Sequence, residues 1–115
     1  TSMKRLVLAV VVFCLAFTLG MVRPAFAAGD ADLGSKIFAA NCAVCHIGGG
    51  NNLNPQKTLQ KEALVANKID SVEAIIYQVT KGKGVMPAFS GRLSAADIEN
   101  VATYVLSTAE KGWKK

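Results

Sequence analysis

Cys42-Ala43-Val44-Cys45-His46 sets two thiols three positions apart and an imidazole directly after the second. Residues at that spacing share one face of a helical turn, so both sulfurs reach in the same direction. Thiols so placed can form thioethers to two vinyl groups on one porphyrin edge, and C-x-x-C-H is the attachment signature of c-type haem. His46 is the only histidine of the chain. It follows the second thiol immediately, which presents imidazole to an iron from the same side, and imidazole suits iron. Two other chemistries use the same residue types. A thioredoxin-like redox pair needs a β-α-β setting that the flanking sequence lacks, and a closed zinc site needs a second Cys/His pair. The remaining cysteine, Cys14, lies in an apolar N-terminal segment and does not supply it.

A haem iron held by one histidine takes a sixth ligand, and electron-transfer cytochromes commonly use a thioether there. Met86 opens the run Met86-Pro87-Ala88-Phe89. Pro87 drives Met86 into an extended conformation and stiffens the loop, so the sulfur is held in place. A lone methionine is ordinarily core filler. In a loop, opposite a haem-attachment motif, it is the candidate axial ligand. No constellation of acid, base or nucleophile accompanies these residues, which argues against an enzyme.

The elements that must position this pair occupy the chain after about residue 28. Lys4 and Arg5, the apolar run from Leu6, and Ala25-Phe26-Ala27 together read as a secretory signal peptide cleaved after residue 27, with Thr1 and Ser2 as a remnant ahead of Met3. A retained membrane anchor is the weaker alternative, because Arg23-Pro24 interrupts the run and a span wants about 20 apolar residues. Removing Lys4, Arg5 and Arg23 takes three of 13 basic residues and none of the 8 acidic ones, so a formal +5 falls to +2. Two ionised propionates would bring the loaded protein near neutrality. The precursor's positive charge therefore gives no support to nucleic-acid binding. Residues 28–115 make one small domain with no cysteine left for a structural disulfide, and a covalently bound porphyrin would complete its thin core.

Four helices are expected in that domain. The first runs from Asp30 to Asn41, with Gly34, Phe38 and Cys42 in one row leading into the motif. A helical glycine costs about 1 kcal/mol relative to alanine, so Gly34 implies close approach of another helix. Ile47 to Pro55 is a loop, and Gly48-Gly49-Gly50 suggests backbone passing close to the haem face that His46 ligates. A short helix is expected over Lys57 to Ala66. Ser71 caps the next, whose stripe Val72, Ile75, Ile76 and Val79 faces the core until Gly82 stops it. Ser94 to Asp97 forms a capping box for a last helix carrying Ile98, Val101, Ala102, Val105, Leu106 and Ala109. That helix is the natural partner of Gly34 and Phe38. Trp113 is expected to pin the terminus.

The segments Asn41 to His46, Gly48 to Asn52, Lys57-Thr58-Leu59, Gln78-Val79-Thr80, Met86 to Phe89 and Gly91-Arg92-Leu93 closely resemble cytochrome c6 over nearly all of residues 28–115. The resemblance implies an all-α class I cytochrome c fold, about four short helices around one covalent haem c. It implies a soluble carrier in the thylakoid lumen, or the periplasm, taking electrons from the cytochrome b6f complex to photosystem I, with a terminal oxidase as a further acceptor. It places Cys42 and Cys45 as the haem-attachment residues, His46 and Met86 as iron ligands, and Gln78 near the ring. Asn52 and Lys57 fall at propionate contacts, and Arg92 at a residue for docking to photosystem I. A generic bacterial cytochrome serving an oxidase, and a haem enzyme with a displaceable sixth ligand, are the alternatives.

Overall fold

The computed structural model describes residues 2–20 and 29–114, with side chains at 2–15 and 29–114. The expected cleavage site, Ala25 to Ala27, lies outside the described residues. The α-helices are α1 (Ser2–Gly20), α2 (Ala31–Asn41), α3 (Ala43–His46), α4 (Lys61–Ala66), α5 (Val72–Lys81) and α6 (Ala95–Glu110), with a 3-10 turn at Ile47–Gly49. Among the described residues there is no strand, only an isolated antiparallel bridge between Lys83 and Met86. None of these helices is long and apolar enough to cross a membrane.

Two features refine the expected set of about four helices. Cys42, at φ −115° and ψ −34°, closes α2 and opens α3, so the haem motif has a one-turn helix of its own. The helix expected over Lys57 to Ala66 starts only at Lys61. The preceding residues spend their hydrogen bonds on the glycine loop: Leu59 N–H donates to the Gly49 carbonyl at 2.8 Å, and the Lys57 carbonyl accepts from Asn51 Nδ2 at 2.9 Å. Those tertiary bonds outweigh a weak local helix preference.

The chain crosses itself where α2 meets α6. Asp30 caps α2, accepting from the N–H groups of Asp32 and Leu33, while its own N–H donates to Asn100 Oδ1 at 2.8 Å. One turn later a β-carbon on Gly34 would overlap the Asn100 carbonyl and crowd Tyr104, so glycine is what lets the helices approach. Phe38, on the same row, is 5% exposed and packs into a core with Ile75, Val79, Val101 and Val105. Phe38 is thus a core residue.

α5 and α6 begin and end where their caps dictate. Ser71 Oγ accepts the Ala74 N–H at 3.1 Å, and Gly82, at φ +67°, ends α5. Ser94 and Asp97 complete a reciprocal capping box at 3.1 and 3.2 Å. From it, Ile98, Val101, Ala102, Val105 and Ala109 are buried in sequence along α6.

Candidate haem-binding site

α3 carries three of the expected site residues. The Cys42 carbonyl accepts from Cys45 N–H at 3.1 Å and from His46 N–H at 2.9 Å, which winds the motif into a single turn. Both cysteines are half-buried free thiols. Burial pushes the Cys42 thiol from 9.0 up to about 11, because the thiolate loses its hydration. His46 Nδ1 lies 2.8 Å from the Gly50 carbonyl oxygen. A carbonyl only accepts, so Nδ1 bears the proton and the Nε2 lone pair is available to a metal.

The loop after α3 is tied down by asparagines. Asn51 Oδ1 accepts from the N–H groups of Leu53 and Asn54 at 3.1 and 2.8 Å. Asn52 N–H donates to the Cys45 carbonyl at 2.9 Å, and its Nδ2 to the Val44 carbonyl at 3.2 Å. These bonds satisfy carbonyls left open at the end of α3. Asn52 and Lys57 are both exposed. Gly49, at φ +81°, runs beneath the Trp113 indole. Trp113 Nε1 donates to the Leu59 carbonyl at 2.8 Å, and its ring packs on Phe38 and Tyr104. The terminus is pinned as expected.

The second half of the site follows α5. Lys83 and Met86 exchange backbone hydrogen bonds at 3.0 Å across Gly84 and Val85, a tight turn with Gly84 at φ +58°. A β-carbon on Gly82 would fall 2.6 Å from the Met86 carbonyl oxygen, so the helix stop also makes room for this turn. Phe89 anchors the far side, 6% exposed, with its N–H donating to the Val79 carbonyl at 2.9 Å. Met86 is half-buried, and Gln78 Nε2 donates to its Sδ at 3.7 Å. Arg92 is exposed, its guanidinium 5.5 Å from the centre of the Phe89 ring. Tyr77, next to Gln78, is 68% exposed.

These donors fit a c-type haem. Two free thiols on one turn, an imidazole with its Nε2 free and a thioether held by an amide donor are the required set. Val44, Ile47, Leu53 and Val85, on the segments that carry the donors, keep large apolar side chains at the surface, consistent with elements shaped around an apolar ring. Among the described residues no group of three or more His, Cys, Asp and Glu side chains gathers to hold a metal, so a closed zinc cage has no second pair of ligands here. Two partners escaped the sequence reading: the Gly50 carbonyl on His46 and the pairing of Gln78 with Met86. The first is a backbone group with no residue signature. The second spans a helix stop and a turn, where no periodic spacing marks it.

Residues 29–105 match the model of a family described as cytochrome C oxidase, cbb3-type, subunit III. The chain is 55% identical to cytochrome c6 of Porphyra purpurea over 101 residues, 88% of each chain. It is 68% identical to cytochrome c6 of Microcystis aeruginosa over 80 residues, covering 70% of this chain and 99% of that one. The chain belongs to the cytochrome c6 family. The crystal structure of cytochrome c6 from the diatom Phaeodactylum tricornutum superposes with a TM-score of 0.71 at 55% identity, covering 74% of this chain and 100% of that one. Membership in the cytochrome c6 family makes this an electron-transfer protein rather than an enzyme, a carrier with haem c as its cofactor and the helical class I cytochrome fold.

Proposed function

We propose that the protein is an exported, soluble monohaem carrier that takes electrons from the cytochrome b6f complex and delivers them to photosystem I in the thylakoid lumen. Cys42 and Cys45 hold the haem as thioethers, and His46 Nε2 and Met86 Sδ ligate its iron. Haem supplies a one-electron couple between two oxidation states of iron. The observation that carries this assignment is that both proposed ligands are held by neighbours, His46 by the Gly50 carbonyl and Met86 by the Gln78 amide. Ligands fixed in advance move little when the charge changes, which keeps electron transfer fast.

The neutral thioether favours the reduced site, and a Gln78 N–H directed at the sulfur withdraws electron density and favours it further. In this reading Asn52 and Lys57 would contact the haem propionates, and Arg92 would dock the acceptor. A guanidinium braced on the Phe89 ring and exposed to solvent suits such a contact.

Residues 1–27 act as a leader removed on export. All described side chains of α1, residues 2–15, are exposed. The family model matches from residue 29, and 80 residues of this chain match 99% of the Microcystis relative, which together support a functional unit without the N-terminal segment. Intact mass of the native protein tests this; retention of residues before Ala28 would favour an anchored cytochrome instead.

Re-reduction of photo-oxidised photosystem I after a laser flash tests the donor role, and a rate that rises with added holoprotein is the expected outcome. The family description that includes an oxidase subunit favours a second acceptor, a terminal oxidase. Oxidation of the holoprotein by oxidase-containing membranes, without flash-driven donation, would make the oxidase its partner in place of photosystem I.

A further inference from the structure

Trp113 reaches the loop that holds His46 at two points. Its Nε1–H donates to the Leu59 carbonyl at 2.8 Å, and Leu59 donates its own N–H to the Gly49 carbonyl at 2.8 Å. The indole face also lies on Gly49 itself, so closely that a β-carbon there would overlap the ring. The next residue is Gly50, whose carbonyl accepts the His46 Nδ1–H. The ring is braced from behind by Phe38 and Tyr104, with centroids 5.4 and 6.0 Å away. Gly112 and Trp113 both adopt left-handed backbone, at φ +67° and +59°, and Trp113 N–H returns to the Thr108 carbonyl at 2.9 Å. A bulky residue enters that region at an energetic cost. The left-handed Gly112 and the Trp113 N–H bond to Thr108 close α6 as a Schellman motif; the left-handed backbone of Trp113 itself is not part of that motif, and with it the indole lies on the glycine loop.

We infer that Trp113 is a positioning residue for the iron ligand: by clamping Gly49 it fixes the Gly50 carbonyl on His46 and so tunes the redox potential. This rests on the assignment of His46 as ligand. A carbonyl accepting from Nδ1–H makes Nε2 a stronger donor, which stabilises oxidised iron and lowers the potential. Loosening the clamp weakens that bond and raises the potential.

The test uses haem-loaded protein with Trp113→Phe, Trp113→Leu and, as control, Ser94→Ala, which unties the opposite end of α6. Three quantities are measured: exchange of the His46 Nδ1 proton in the reduced state by NMR, the midpoint potential, and the thermal midpoint. Trp113→Phe is expected to speed the proton's exchange about tenfold or more and to raise the potential, with Trp113→Leu going further. Ser94→Ala is expected to lower the thermal midpoint alone. Should Trp113→Leu fail to fold, Trp113→Phe decides, since it keeps an aromatic ring against Gly49. Trp113 variants that lose thermal stability but keep parental exchange and potential would overturn the inference, as would a lowered potential. A parent protein whose His46 ring signals lack the haem ring-current shift would instead remove the ligand assignment, whatever the Trp113 variants do.

Discussion

Gln78 and Met86 stand on opposite sides of a helix stop, yet the Gln78 amide points at the Met86 sulfur with Nε2 3.7 Å from Sδ. Gly82 makes the meeting possible, because its left-handed backbone ends α5 and its missing β-carbon leaves space for the returning Met86 and Ala88 backbone. Replacing Gln78 by leucine removes the donor at similar volume. One hydrogen bond is worth about 1 kcal/mol, or about 40 mV for one electron. The midpoint potential of Gln78→Leu is therefore expected to fall by up to about that amount in a redox titration; an unchanged potential would detach Gln78 from the site.

Gly34 sets the α2–α6 crossing. Gly34→Ala drives a methyl group into the Asn100 carbonyl, a backbone atom that cannot rotate away. Overpacking of this kind costs about 2 kcal/mol or more, and for a domain of this size each kcal/mol lowers the thermal midpoint by about 4–8 °C. Circular dichroism melting of the holoprotein checks the value, and a variant melting with the parent would mean that the helices have room to separate.

Removing the haem is expected to unfold the domain. Among the described residues only Leu64 and Val101 are large side chains with less than 2% exposure, a small core for one domain. Any haem-free chain that did fold would lose stability in alkali. A Cys42 thiol at about 11 when folded, against 9.0 ordinarily, contributes stability that is full below pH 9 and is lost as pH rises towards 11. In the holoprotein the thioether does not titrate, so this loss is absent. Far-UV circular dichroism of haem-free chain checks the first point; strong helical signal with a cooperative melt would contradict it. Iodoacetamide labelling checks the second, with Cys42 of any folded haem-free fraction reacting only as pH approaches 11 and Cys42 of the unfolded chain reacting as an ordinary thiol.

Arg92→Ala removes the guanidinium braced on Phe89 while leaving the backbone bonds that end at the Phe89 carbonyl. Donation to photosystem I is expected to slow about tenfold at low ionic strength and less at high salt, as for a steering charge. Flash kinetics over a salt series measure this, and an unaltered rate would take Arg92 out of docking.

Much of this was legible in the sequence because it depends on local chemistry. Ser71, Gly82 and the Ser94–Asp97 box mark helix ends through bonds made within one turn, and Gly34 announces a close crossing by lacking a side chain. What was not legible depends on distant backbone. The Lys57–Gln60 segment has a helical composition but gives its hydrogen bonds to Gly49 and Asn51. The break at Cys42 lies inside an otherwise continuous helical pattern. In the site, side-chain types located Cys42, Cys45, His46 and Met86 as candidates, but the carbonyl of Gly50 has no residue type to betray it. Trp113 was visible as an anchor, while its seat on Gly49 required the fold.

The proposed pairing of His46 with Met86 across one haem is tested most directly by the optical spectrum of the oxidised holoprotein beside Met86→Ala. The parent is expected to be low-spin with a sulfur-to-iron charge-transfer band, and the variant to lose that band as its potential falls. A parent with high-spin iron, or a band that survives in Met86→Ala, would contradict the assignment.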